Sequence, residues 1–71
     1  MLGDVLLKLV SALTVEDVKE MKHLGLGSEV KWVIELLDRT AARWRAIGAV
    51  NYDIGFDVQV KLNELQAALG S

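Results

Sequence analysis

Acidic side chains cluster at Glu16, Asp17 and Glu20, and His23 follows three residues later. Carboxylates and an imidazole are the residue types that exchange protons or hold metal ions. Zinc sites need several nitrogen or sulfur ligands, whereas this chain has one histidine and no cysteine. The carboxylates also lie in a first helical turn and His23 in a last turn, where each charge complements the helix dipole. We therefore predict no catalytic, cofactor-binding or metal site, and no enzymatic activity.

Two glycines flank Leu26, and this segment is the nearest approach in the chain to a phosphate-binding loop. A dinucleotide-binding loop needs a third glycine and a preceding strand, and neither is present here. We interpret Gly25 instead as the residue that closes a helix in the left-handed conformation.

Arginines surround one of the two tryptophans, at Arg39, Arg43 and Arg45 with Trp44 among them. Arginine beside an aromatic ring can bind nucleic acid or anchor a protein interface. The third interpretation is a solvated helix flank with Trp44 in the core. The formal net charge of −2 and the pI near 5.2 place nucleic-acid binding last among the three.

Residues 1–71 are short enough to form a single helical domain. A domain of this size often needs disulfides, a metal or a partner chain. Since cysteine is absent and 52% of the residues are hydrophobic, we expect support from oligomerisation. No apolar run approaches the ~20 residues that span a bilayer, and no signal-peptide pattern is present, so we expect a cytoplasmic protein without membrane contact.

The elements that position these residues all have helical patterns. Residues 2–13 predict a first helix with a broad apolar face, and Thr14 with Asp17 predicts a capping box that starts a second helix, running to about His23 or Leu24. Ser28 predicts the N-cap of a long central helix over residues 28–46. Its inward stripe obeys helical spacing: Val30, Val33, Ile34, Leu37, Ala41 and Trp44.

Trp32 and Leu36 lie beside that inward stripe and widen the apolar face of the central helix. Either the N-terminal helix covers them, or they belong to a subunit interface, where tryptophan is enriched. The sequence leaves both interpretations open.

Beyond Ala46 the pattern admits three interpretations. Helical spacing continues through Val58, Leu62 and Leu65, so one bent helix can run on, or the chain can break near residues 51–55 and fold back. Residues 56–62 also alternate apolar and polar, which is typical of a half-buried strand. We favour helix, because no second strand is evident within one chain.

Residues 14–37 resemble the DNA-binding helix–turn–helix of many small regulators. The resemblance rests on a capped short helix, the turn Leu24-Gly25-Leu26, and a following helix with Val30 and Ile34 directed inward. It implies a transcriptional regulator whose nucleic-acid contacts would be Lys31, Arg39, Arg43 and Arg45.

The sequence as a whole predicts an all-α bundle completed by oligomerisation, with two short N-terminal helices, a long central helix and a bent or broken C-terminal helix. The predicted function is a non-enzymatic protein-interaction module that forms a homodimer or binds another protein. The alternatives are the regulator and a designed or laboratory-evolved helical protein, although scattered glycines argue against idealised design. The predicted interface residues are Trp32, Leu36, Arg43, Trp44, Val58, Leu62 and Leu65.

Overall fold

The computed structural model describes residues 2–71, which form four helices. They are α1 (Leu2–Ser11), α2 (Val15–His23), α3 (Gly27–Ala46) and α4 (Tyr52–Gly70). The all-α prediction is confirmed, as are the two short N-terminal helices and the long central one. None of these helices is both long enough and apolar enough to cross a bilayer.

The start of α2 follows from local side-chain chemistry. The Thr14 hydroxyl accepts a hydrogen bond from the Asp17 backbone N–H, and the Asp17 carboxylate accepts one from the Thr14 N–H, each at 3.1 Å. This reciprocal pair satisfies two N–H groups that the first helical turn leaves without partners. The predicted capping box is confirmed.

The turn between α2 and α3 depends on Gly25, which has a φ of +83°. A side chain in that conformation is strained, so glycine is favoured there. The predicted N-cap at Ser28 is wrong. The helix begins at Gly27, Leu26 occupies the cap position, and no side chain caps it. Leu26 donates its N–H to the Met21 carbonyl at 2.9 Å, so this tight turn brings the chain into α3 one residue before the serine.

Between α3 and α4 the chain breaks and folds back. Gly48 has a φ of +74°, and Asn51 caps α4 by accepting a hydrogen bond from the Ile54 N–H at 3.1 Å. This is the broken-helix alternative. Helix was correctly favoured over strand for residues 56–62, because those residues lie inside α4.

The two long helices run antiparallel, since Arg45 near the end of α3 packs on Gly55 near the start of α4. The α1–α2 segment lies along α4 in the same direction as α4. Gly3 is next to Ile54, and Lys22 donates a hydrogen bond to the carbonyl of Ser71 at the far end. Helix α4 therefore packs against all three other helices, in a molecule of 37 × 16 × 16 Å.

The core forms where the apolar faces of all four helices meet. Its fully buried large side chains are Leu6, Val10, Val18, Ile34, Val58, Leu62 and Leu65. Val33, predicted to face inward, is instead exposed, because it lies at the edge of the apolar face of α3. No buried polar side chain among residues 2–71 lacks a hydrogen-bond partner.

Candidate interaction surface

Trp32 and Leu36 lie on the outer side of α3, with 64% and 50% of their surfaces exposed. The inner side of the same helix is occupied by Val30, Ile34 and Ala41, which are buried. At 3.6 residues per turn, Trp32 and Leu36 point nearly opposite to Ile34. The N-terminal helices therefore do not cover these two side chains, which removes the first of the two interpretations that the sequence left open.

The outer side of α3 forms a continuous stripe along the helix. Its members recur every three or four residues, as on one helical face. We call this set the α3 stripe, and all its members are exposed: Trp32, Glu35, Leu36, Arg39, Ala42, Arg43 and Ala46. One half of the stripe carries the two large apolar side chains, and the other half carries two alanines.

A groove lies beside the end of this stripe, where α3 turns into α4. Its walls include Arg45, Tyr52 and Phe56, and its volume is about 430 Å³. Tyr52 and Phe56 are 86% and 61% exposed, and their spacing of four residues places both rings on one side of α4. The groove is therefore an open, aromatic-walled surface beside a cationic side chain.

Gly55 explains how Arg45 comes to form one wall of the groove. A Cβ atom at Gly55 would lie 3.4 Å from the Arg45 Cδ, so the aliphatic stem of the arginine rests on the α4 backbone. Long basic side chains often cover apolar surface with their stems while the charged head stays in water. None of the side-chain hydrogen bonds within residues 2–71 involves Arg45.

The predicted interface residues separate into three groups. Trp32, Leu36 and Arg43 lie together on the α3 stripe, whereas Trp44 is partly buried against the core. The other three, Val58, Leu62 and Leu65, are at most 1% exposed. The fold-back of α4 encloses them within one copy of the chain, so they cannot contribute to an outer surface of this fold.

The predicted nucleic-acid residues are all exposed but occupy different positions on α3. Arg39 and Arg43 belong to the α3 stripe, and Arg45 lines the groove. Lys31 lines a cleft between α3 and α4 together with Gln66, Leu69 and Glu35. The structure thus places the basic side chains on two flanks of α3 and does not gather them into one patch.

Of the titratable residues on α2, Asp17 has a structural role. The Asp17 carboxylate belongs to the capping box, and Glu16 and Glu20 are exposed. His23 lies in the last helical turn, as predicted. Within residues 2–71, no three His, Asp or Glu side chains form a group that could hold a metal ion.

The chain matches no protein-family model, no curated protein and no solved structure.

Tyr52 and Phe56 are functional candidates that the sequence analysis missed. Their signal was present, because two aromatic residues four apart follow Asn51, a good N-cap residue. Aromatic rings on the first turns of a capped helix have few covering neighbours unless another element crosses there. Another group of exposed apolar side chains lies on α1, where Leu2, Val5 and Leu9 are each between 43% and 48% exposed.

Proposed function

We propose that this chain is a non-enzymatic interaction module that associates with a second copy of itself through the outer side of α3. The observation that carries the proposal is the exposure of Trp32 and Leu36 as neighbours on one long helix. Contiguous exposed apolar patches of several hundred Å² often mark interaction sites. Tryptophan is also the residue type most enriched where interface energy concentrates.

The size of the domain supports the same proposal. A chain of 71 residues buries a smaller fraction of its surface than a larger domain and is correspondingly marginal. Covering the α3 stripe with a partner would add buried apolar area without enlarging the chain. Association would then stabilise the fold by mass action.

Sedimentation equilibrium tests the proposal with a matched pair of variants. Leu36→Lys places a third positive charge beside Arg39 and Arg43 on the α3 stripe. Val60→Lys makes the same chemical change at an exposed valine on α4, outside the stripe. We expect the unaltered chain and Val60→Lys to dimerise at micromolar concentration, and Leu36→Lys to remain monomeric. Equal association of the two variants would refute the assignment of the surface.

The second candidate function is the DNA-binding regulator. One observation favours it: α2 is capped, a tight turn follows, and α3 presents Arg39 and Arg43 to solvent. Phosphate neutralisation gives such binding a steep dependence on salt. We would measure the fluorescence anisotropy of labelled duplex DNA at low and high salt. Binding that vanishes in high salt and is lost in Arg43→Glu would favour the regulator over the interaction module.

A further inference from the structure

We propose that two copies pair with their α3 stripes antiparallel, about a two-fold axis beside Arg39, so that Trp32 of each copy packs over Ala46 and the adjoining groove of the other. This inference rests on the proposed function and specifies the partner, the register and the contact residues. Helices that pack side by side interlock through residues spaced three and four apart. The α3 stripe has that spacing from Trp32 to Ala46.

Side-chain size fits the antiparallel register. When Arg39 lies at the axis, a residue that precedes Arg39 by a given number of positions in one copy meets the residue that follows Arg39 by the same number in the other copy. Trp32 then meets Ala46, and Leu36 meets Ala42. Both large apolar side chains thus face alanines, which leave room for them, and both alanines are exposed in the single copy. A parallel pair would instead set the two tryptophans against each other and leave the alanines facing alanines.

Charge also favours the antiparallel register. The same pairing brings Glu35 of each copy to Arg43 of the other, which gives two equivalent contacts between opposite charges. In a parallel pair each of these residues would meet its own kind, and like charges across an interface are costly. The two Arg39 side chains meet at the axis in the antiparallel pair, where their long stems can extend outward to solvent.

The groove completes the site at each end of the paired helices. Ala46 is adjacent to Arg45, which forms one wall of the groove, and the rings of Tyr52 and Phe56 form another. In the proposed pair, the partner's tryptophan, packed over Ala46, therefore lies at the end of α3 where this groove opens. Aromatic rings attract one another edge to face, and a guanidinium stacks on an indole. The groove therefore offers contacts suited to the partner's Trp32.

The size of one side of the molecule limits the area of the proposed interface. A whole side of 37 by 16 Å sets an upper limit of about 590 Å² on each copy, or about 1,200 Å² for both, which is the lower end of the range for specific interfaces. The α3 stripe runs along the long dimension of such a face.

Disulfide trapping tests the register directly, because the chain has no cysteine. Arg39→Cys places one thiol of each copy at the two-fold axis, and we expect it to form a covalent dimer on mild oxidation. Ser28→Cys, exposed near the start of α3, is the matched control. Its two thiols would lie roughly 33 Å apart in an antiparallel pair, far beyond disulfide reach. Trapping of both variants would indicate a parallel pair and overturn the proposal, as would failure of Arg39→Cys to trap.

Charge reversal supplies an independent test by sedimentation equilibrium. Glu35→Arg and Arg43→Glu should each weaken association roughly tenfold or more, because each sets like charges together at two symmetric contacts. The double variant should recover most of the lost affinity, whereas Glu64→Arg on α4 should have no comparable effect. Circular dichroism verifies that all four variants remain helical.

The outcomes separate this inference from the function on which it rests. If the unaltered chain is monomeric at every concentration, both fail. If it dimerises but the double variant does not recover affinity, the antiparallel register fails while self-association stands.

Discussion

The two tryptophans of α3 should respond in opposite ways to the same truncation. Trp32 is 64% exposed, so Trp32→Ala should change the free energy of unfolding of the monomer by no more than about 0.5 kcal/mol. Trp44 is partly buried against the core, and Trp44→Ala should destabilise the fold by about 2–3 kcal/mol, somewhat less than full burial would imply.

The effect on association is the reverse. An indole of about 250 Å² that is 64% exposed leaves about 160 Å² free. If the partner covers half of this area, the loss at about 25 cal/mol per Å² is about 2 kcal/mol for each tryptophan. The symmetric dimer would lose about 4 kcal/mol of association free energy, which raises the dissociation constant nearly a thousandfold.

Two measurements check this pair of expectations. Urea unfolding at a concentration below the dissociation constant gives the stability of the monomer, and sedimentation equilibrium gives the association. Trp32→Ala should be a stable monomer. Trp44→Ala should have a lower urea midpoint but, wherever it is folded, should still dimerise. A Trp32→Ala chain that associates as tightly as the unaltered chain would refute the reasoning about the α3 stripe.

The remaining predictions concern the fold. Leu62→Ala should lower the free energy of unfolding by about 2–5 kcal/mol because the side chain is fully buried, and an unchanged urea midpoint would contradict its place in the core. Thr14→Ala should cost about 0.5–2 kcal/mol through loss of the capping hydrogen bond to Asp17, measured by thermal unfolding, with Thr40→Ala inside α3 as a control. Gly25→Ala should cost about 1 kcal/mol because the φ of +83° disfavours a Cβ, whereas Gly55→Ala should stabilise α4 by about 0.5–1 kcal/mol, both followed by urea unfolding.

The features that the sequence predicted correctly depend on short-range chemistry. Thr14 and Asp17 lie three residues apart, so their reciprocal hydrogen bonds need only the local helix geometry. Gly25 marks a backbone conformation that few other residues adopt. The choice of helix for α4 was also local, because residues 63–69 are good helix formers. The cap of α3 was missed because the tight turn after Gly25 starts the helix before Ser28.

What the sequence left open depends on how the elements pack. The apolar face of α3 is wide, and only the position of the α1–α2 segment decides which of its flanks is covered. Val58, Leu62 and Leu65 were assigned to a partner interface because the chain has a surplus of apolar residues for its length. The break before Asn51 folds α4 back and buries all three within one copy. The spacing of Tyr52 and Phe56 was visible in the sequence, but the groove beside them exists only once α4 has turned against Arg45.

The most direct test of the central claim is the molar mass of the unaltered chain in solution, measured by light scattering across a range of micromolar concentrations. We expect a mass that rises from the 7.8 kDa of one chain to twice that value and then stays constant, independent of added duplex DNA. A mass that remains at 7.8 kDa at every concentration would contradict self-association through the α3 stripe.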